Sequence, residues 1–150
     1  MQLSELQSLE KFLTNVHEDL GEAVDIIEWM APERKDIHDL VSKAWKELQP
    51  QFKTAQVQIT KIDSKSFRTA GLSGSQLGLK IAEYKWRRSR FQREFEEQRA
   101  SKKKIDDHLR SLLRRVLSAA DNILDTLASV FPPVQPIKEF KDTLASVMHP

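Results

Sequence analysis

The chain has 150 residues, of which 31% are charged and 39% hydrophobic, with only 4 glycines and 6 prolines, a composition that excludes collagen-like, low-complexity and disordered classes and suits one domain with one core. The absence of cysteine rules out disulfides, thiolate metal sites and cysteine nucleophiles together. A formal net charge of +2 conceals a split: residues 1–32 hold one basic and seven acidic groups, residues 65–117 fifteen and six.

Leu6, Leu9, Leu13, Val16, Leu20, Ala23 and Ile27 recur every three or four residues, the period of a helix face. The first helix is predicted from about Glu5 to Met30, capped by Ser4 with Gln7 and stopped before Pro32. Gly21 weakens it by roughly 1 kcal/mol relative to alanine without ending it. A second stripe uses Ile37, Leu40, Val41, Ala44, Trp45, Leu48, Phe52, Ala55, Ile59 and Ile62. Its phase survives Pro50, so a kink near Glu47–Pro50 is predicted rather than two helices.

Residues 64–75 read as a loop, with Gly71 and Gly74 as turn residues and Ser73 or Ser75 capping the next helix. The third helix sets Leu77, Ile81, Tyr84, Phe91 and Phe95 on its inner face, and Arg88 stands where another apolar residue is due. A polar connection over Arg99–Lys104, with Ser101 as cap, turns the chain into the fourth helix. That helix runs through Ile105, Leu109, Leu112, Val116, Ala119, Ile123, Leu127 and Val130 and stops before Pro132 and Pro133. Pro136 opens a last helix bearing Ile137, Phe140, Leu144 and Val147, too short to stand unless docked on the rest. The predicted fold is all-α: one antiparallel four-helix bundle domain over residues 1–150, braced by a short fifth helix and suited to being the N-terminal domain of a longer protein.

No chemistry announces itself. His17, His38, His108 and His149 lack the His-Glu-x-x-His and Glu-x-x-His spacings of metal-binding helices and read as surface or boundary residues. The neighbouring carboxylates Glu18 and Asp19, Glu96 and Glu97, Asp106 and Asp107 point about 100° apart on a helix and read as solvated faces. Gly71, Gly74 and Gly78 lack the Gly-Lys-Ser/Thr ending of a phosphate loop. Arg34 and His38 depart from the longer Arg–His interval of helical ribonucleases. Neither metal, cofactor, small-molecule substrate nor enzymatic activity is therefore expected.

What stands out is basic. Lys80, Trp86, Arg87, Arg88, Arg90 and Arg93 are followed by Lys102, Lys103, Lys104, Arg110, Arg114 and Arg115. Trp86 falls about 200° from Tyr84 on the helical wheel, outside the apolar stripe. Two fates are open to it: packing under the fifth helix or the 64–75 loop while the arginines pair with the acidic first helix, or exposure as an anchor. The exposed version suits a protein partner or a second copy, an anionic membrane surface, or nucleic acid; the acidic residues Glu83, Glu94, Glu96, Glu97, Asp106 and Asp107 interrupt the last.

Four long helices and a short one after a proline-rich turn resemble, in helix order, the N-terminal bundles of immune and cell-death effectors, the HeLo-type and pseudokinase-executioner bundles. That resemblance implies an effector or adaptor bundle that self-associates or engages acidic lipid through the basic face of helices three and four. The first twenty residues lack the basic and apolar regions of a secretory signal, and no run approaches the roughly 18 apolar residues of a membrane span. A cytoplasmic location, at most peripheral to a membrane, is the expectation.

Overall fold

A computed structural model describes residues 3–30, 34–62, 71, 74–101 and 106–148. Among them there is no strand. The elements are α1 (Leu3–Met30), α2 (Lys35–Gln58), a 3₁₀ turn over Ile59–Lys61, α3 (Gly74–Ala100), α4 (Asp107–Val130), a 3₁₀ turn over Pro132–Val134, and α5 (Gln135–Met148).

On α1 the predicted stripe from Leu9 to Ile27 is buried, and so is a second line at seven-residue spacing, Phe12, Asp19 and Ile26. The two lines face different neighbours. His17 meets Gln49 at 2.6 Å and packs between the rings of Trp45 and Phe52, whereas Phe12 meets the Tyr84 ring edge-on at 5.1 Å between centroids. One side of α1 thus faces α2 and the other α3. Gly21 earns its place in mid-helix, because a Cβ there would lie 3.3 Å from the Trp45 indole.

α2 is unbroken at Pro50. Proline withdraws one N–H from the ladder, while the Gln49 amide donates to the Trp45 carbonyl and the Thr54 hydroxyl to the Pro50 carbonyl on either side of it. The apolar phase then runs on to the buried Ile59 of the 3₁₀ turn. Leu40 departs from expectation at 65% exposure, because it lies at the edge of its stripe, about 100° from the buried Val41.

Contacts fix the chain directions. His17 lies against Gln49 and Gly21 against Trp45, so α1 and α2 are antiparallel. Glu94 with His108 and Gln98 with Asp106 make α3 and α4 antiparallel. Asp125 with Lys138 and Asp121 with Lys141 do the same for α4 and α5. α4 lies between α3 and α5 and buries ten residues from Leu109 to Leu127 on both flanks of its stripe.

The starts of α4 and α3 bear on two expectations from the sequence. α4 is capped by Asp106, whose side chain accepts from the Leu109 N–H at 2.9 Å, and not by Ser101, which instead closes α3 by donating its N–H to the Glu97 carbonyl. An aspartate three residues before an apolar position satisfies an orphan donor and complements the helix dipole. Gly74 is the first residue of α3 and Ser75 lies within it, so neither is a turn or cap; Gly71 does take the left-handed turn conformation, φ 88°. Ser4, Ser73, Ile105 and most of the 64–75 loop lie outside the described side chains.

α5 docks by more than its apolar stripe. Phe140 packs on Trp45 at 5.5 Å between centroids, and Lys141, 5% exposed, reaches Asp121 at 2.6 Å and Asp142 at 2.7 Å. A buried ammonium is tolerated only when paired in this way.

Candidate functional site

α3 presents two opposite faces, both unusual. At 100° per residue, Leu79, Glu83, Trp86, Arg90 and Arg93 share the outward line. Leu79 is 73% exposed and Trp86 56%. They stand two turns apart, about 10 Å along the axis. The Arg87 guanidinium lies 4.8 Å from the Trp86 ring centroid and 3.7 Å from the Glu83 carboxylate, which holds the indole against a cation without covering it. Between residues 74 and 93 the helix carries six basic residues and one acidic, Glu83.

The structure does not gather every basic residue singled out in the sequence. Trp86, Arg87, Arg90 and Arg93 lie on or beside the outward line, with Lys80 half-buried on its flank. Arg88 does not: it points inward and pairs with Glu18 and Asp19 of α1. On α4, Arg115 is exposed, and the antiparallel register set by Glu94 with His108 brings it to the level of Arg87 and Arg88. Arg110 pairs with Asp107 at 3.7 Å and, with Arg114, occupies a flank of α4 about 100° or more from Arg115. Lys102, Lys103 and Lys104 lie outside the described residues.

The inner face of α3 meets α1 in a polar cluster whose carboxylates sequence reasoning assigned to solvent, although pairing of the arginines with α1 was one of its two readings. Glu18 does face outward, but Asp19 is 1% exposed, the reverse of the solvated pair expected from Glu18 and Asp19. The Tyr84 hydroxyl donates to Asp19 Oδ2, Arg88 Nε donates to Asp19 Oδ1 at 2.8 Å, and Arg88 Nη2 reaches Glu18. One turn on, Glu22 has a buried Oε2 with no hydrogen-bond partner among the described residues. Burial pushes Asp19 up to about 6 against the donors Tyr84 and Arg88. Burial and then the neighbouring Asp19 push Glu22 up to about 7. Two signals for this cluster were in the sequence: the missing apolar residue at Arg88, and Asp19 midway between Phe12 and Ile26 at heptad spacing.

Raised carboxylates in an open cleft suggest acid–base catalysis. Here Asp19 is 1% exposed and closed over by Tyr84 and Arg88, and the cluster joins two helices. Among the described residues no group of three His, Cys, Asp or Glu side chains is placed to hold a metal ion, and no helix is long and apolar enough to cross a membrane. Arg34, one half of the Arg–His pair considered above, is tied to Asp36 at 3.3 Å. Comparison of the chain with protein-family models, with curated proteins and with solved structures finds no match.

Proposed function

We propose that this protein is a non-enzymatic interaction module, an effector or adaptor bundle that docks on an acidic protein partner through the outward face of α3. The architecture that goes with this reading is an antiparallel four-helix bundle of α1 to α4 with α5 as its brace, working in the cytoplasm. The resemblance in helix order to immune and cell-death effector bundles supplies the effector setting.

One observation carries the reading. Leu79 and Trp86 are the large apolar side chains α3 leaves exposed, with the Arg87 guanidinium against the indole and Arg90 and Arg93 further along the same helix line. Tryptophan and arginine are the residues that dominate binding energy at protein interfaces, because each offers a large rigid surface together with directional polar groups. A helix face that served only solubility has no use for an exposed indole. The basic surplus of residues 74–93 gives the partner its sign.

Trp86→Ala combined with Arg90→Glu and Arg93→Glu tests this. All three positions lie away from the core, so the thermal midpoint stays close to wild type. Partner recovered by affinity capture from the native source is expected to be an acidic protein, and its affinity to fall about 30-fold or more in the variant, the scale of a lost hot spot. Undiminished binding by the variant overturns the reading. Recovery of nucleic acid instead, with affinity falling steeply in salt, would assign the same face to the other polyanion.

A further inference from the structure

We propose that Glu18, Asp19 and Glu22 of α1, gathered round the single inward cation Arg88 and the Tyr84 hydroxyl of α3, form a proton-operated latch: a bound proton locks α1 onto the α3–α4 hairpin, and its loss loosens α1. The latch is separate from the outward face of α3 and stands whether or not that face binds a partner.

Geometry is the starting point. Asp19 uses both oxygens, one accepting from Tyr84 and one from Arg88. Arg88 is then shared with Glu18. Neither donor reaches the buried Oε2 of Glu22, which has no hydrogen-bond partner among the described residues. Glu18 stands at the solvent edge, 56% exposed, so the two inward carboxylates, Asp19 and Glu22, rely mainly on one inward guanidinium, Arg99 acting on Glu22 less than Arg88 does. Ionising both leaves a carboxylate unneutralised where burial penalises it, a costly state. A proton on Glu22, or shared in turn between Glu22 and Asp19, removes that charge, and the two titrate as a coupled pair.

The groups acting on the pair come from α1 and α3. Asp19 feels Tyr84, Arg88 and Glu18; Glu22 feels Asp19, Arg88, Glu18 and Arg99. Among the described residues, the other elements touching α1 place their recorded polar contacts elsewhere. α2 presents the neutral Gln49 and Trp45 to His17 and Gly21. The 3₁₀ turn buries Ile59 and exposes Lys61. α5 commits Lys138 and Lys141 to Asp125 and Asp121 of α4.

The direction follows from linkage. The ordinary values of Asp19 and Glu22 are 3.8 and 4.5, and the folded values are about 6 and about 7. Folding therefore takes up protons between these limits. The cluster's contribution is complete below about pH 4 and is lost as the pH climbs through 6 and 7. The loss falls on the α1–α3 seam, which is bridged by this cluster and the Phe12–Tyr84 contact, while α3 and α4 pack on one another along their length.

Hydrogen exchange corrected for the intrinsic pH dependence of the amides tests it on the intact chain. Relative to α4 amides 116–124, protection of α1 amides 16–24 is expected to fall by at least about tenfold between pH 5.5 and 8, the slope of one proton per pH unit being tenfold. In Glu22→Gln, which keeps the shape and removes the charge, α1 protection at pH 8 should match that at pH 5.5. Carboxyl ¹³C titration of the wild-type chain gives a readout that needs no variant: Glu22 and Asp19 should titrate near neutrality. Titration of both in the ordinary carboxylate range, equal loss of protection in α1 and α4, or an unchanged pH dependence in Glu22→Gln would each overturn the latch.

Discussion

Arg88→Ala is expected to destabilise the protein by about 3 kcal/mol at pH 8, more than any substitution on the outward face of the same helix. Removing one partner of a buried ion pair leaves the other charged and unsolvated, which typically costs about 3–5 kcal/mol. The lower end applies here because the Glu18 arm of the pair is solvent-exposed. Asp19 is the group left behind, 1% exposed, with Tyr84 as its remaining donor. It escapes by taking a proton, so the penalty should shrink as the pH is lowered to 5. A double variant, Arg88→Met with Asp19→Asn, removes both charges and should recover much of the loss, since an apolar or neutral replacement of a whole buried pair is often tolerated. Urea unfolding at pH 5 and 8 measures all of this. A cost for Arg88→Ala no larger than for Arg93→Ala, or one independent of pH, would show that Arg88 is not bound into the core in the way described.

Phe140→Ala is the second large effect, expected to cost about 3–5 kcal/mol and to lower the thermal midpoint by about 10 °C. α5 has 14 residues, too few to persist as an isolated helix in water, so its helicity depends on docking. Phe140 supplies that docking at the α2 end. Its ring packs on Trp45, which in turn rests on Gly21 and beside His17 of α1. The truncation therefore opens a cavity where α5, α2 and α1 are tied together. Phe140→Leu should cost less than half as much, because it keeps most of the volume. Limited proteolysis at Lys138 and Lys141 gives a local readout: both bonds should become accessible in Phe140→Ala well below its unfolding midpoint. Resistance equal to wild type would mean that the ion pairs to Asp121 and Asp125 hold α5 without the ring.

Much of the fold was legible from residue spacing. The inner stripe of α3 corresponds to buried residues one for one, the stripe of α4 is buried from Leu109 to Leu127 with further buried residues on its flanks, and prolines marked where α1, α4 and α5 begin or end. Trp86 was legible in part: its angle on the wheel of α3 took it off the apolar stripe, but packing under another segment and exposure both stayed open until the structure left it 56% exposed. What escaped was polar. Periodicity counts apolar residues, so Asp19 between Phe12 and Ile26, and Lys141 beside Phe140, looked like breaks in a pattern or parts of a wet face. Their burial depends on a partner carried by another helix, Arg88 in one case and Asp121 in the other, and no rule along one segment pairs residue 19 with residue 88. The cap of α4 was misplaced for a related reason: Ser101 and Asp106 are both good caps, and the choice between them depends on how far α3 extends.

The sequence by itself determined that the chain is helical, how many helices it forms, which stripe of each is apolar, and that charge is divided between α1 and the middle of the chain. All of these follow from local geometry, the turn of the helix and the chemistry of its ends. The tertiary structure alone decided what that division does. It drew Arg88 inward to Glu18 and Asp19 and left Trp86, Arg90 and Arg93 outside, so that one basic helix serves both as a seam and as a surface. The physical reason is that burying a charge is decided by what stands within a few ångströms of it, and those neighbours come from parts of the chain that only folding brings together.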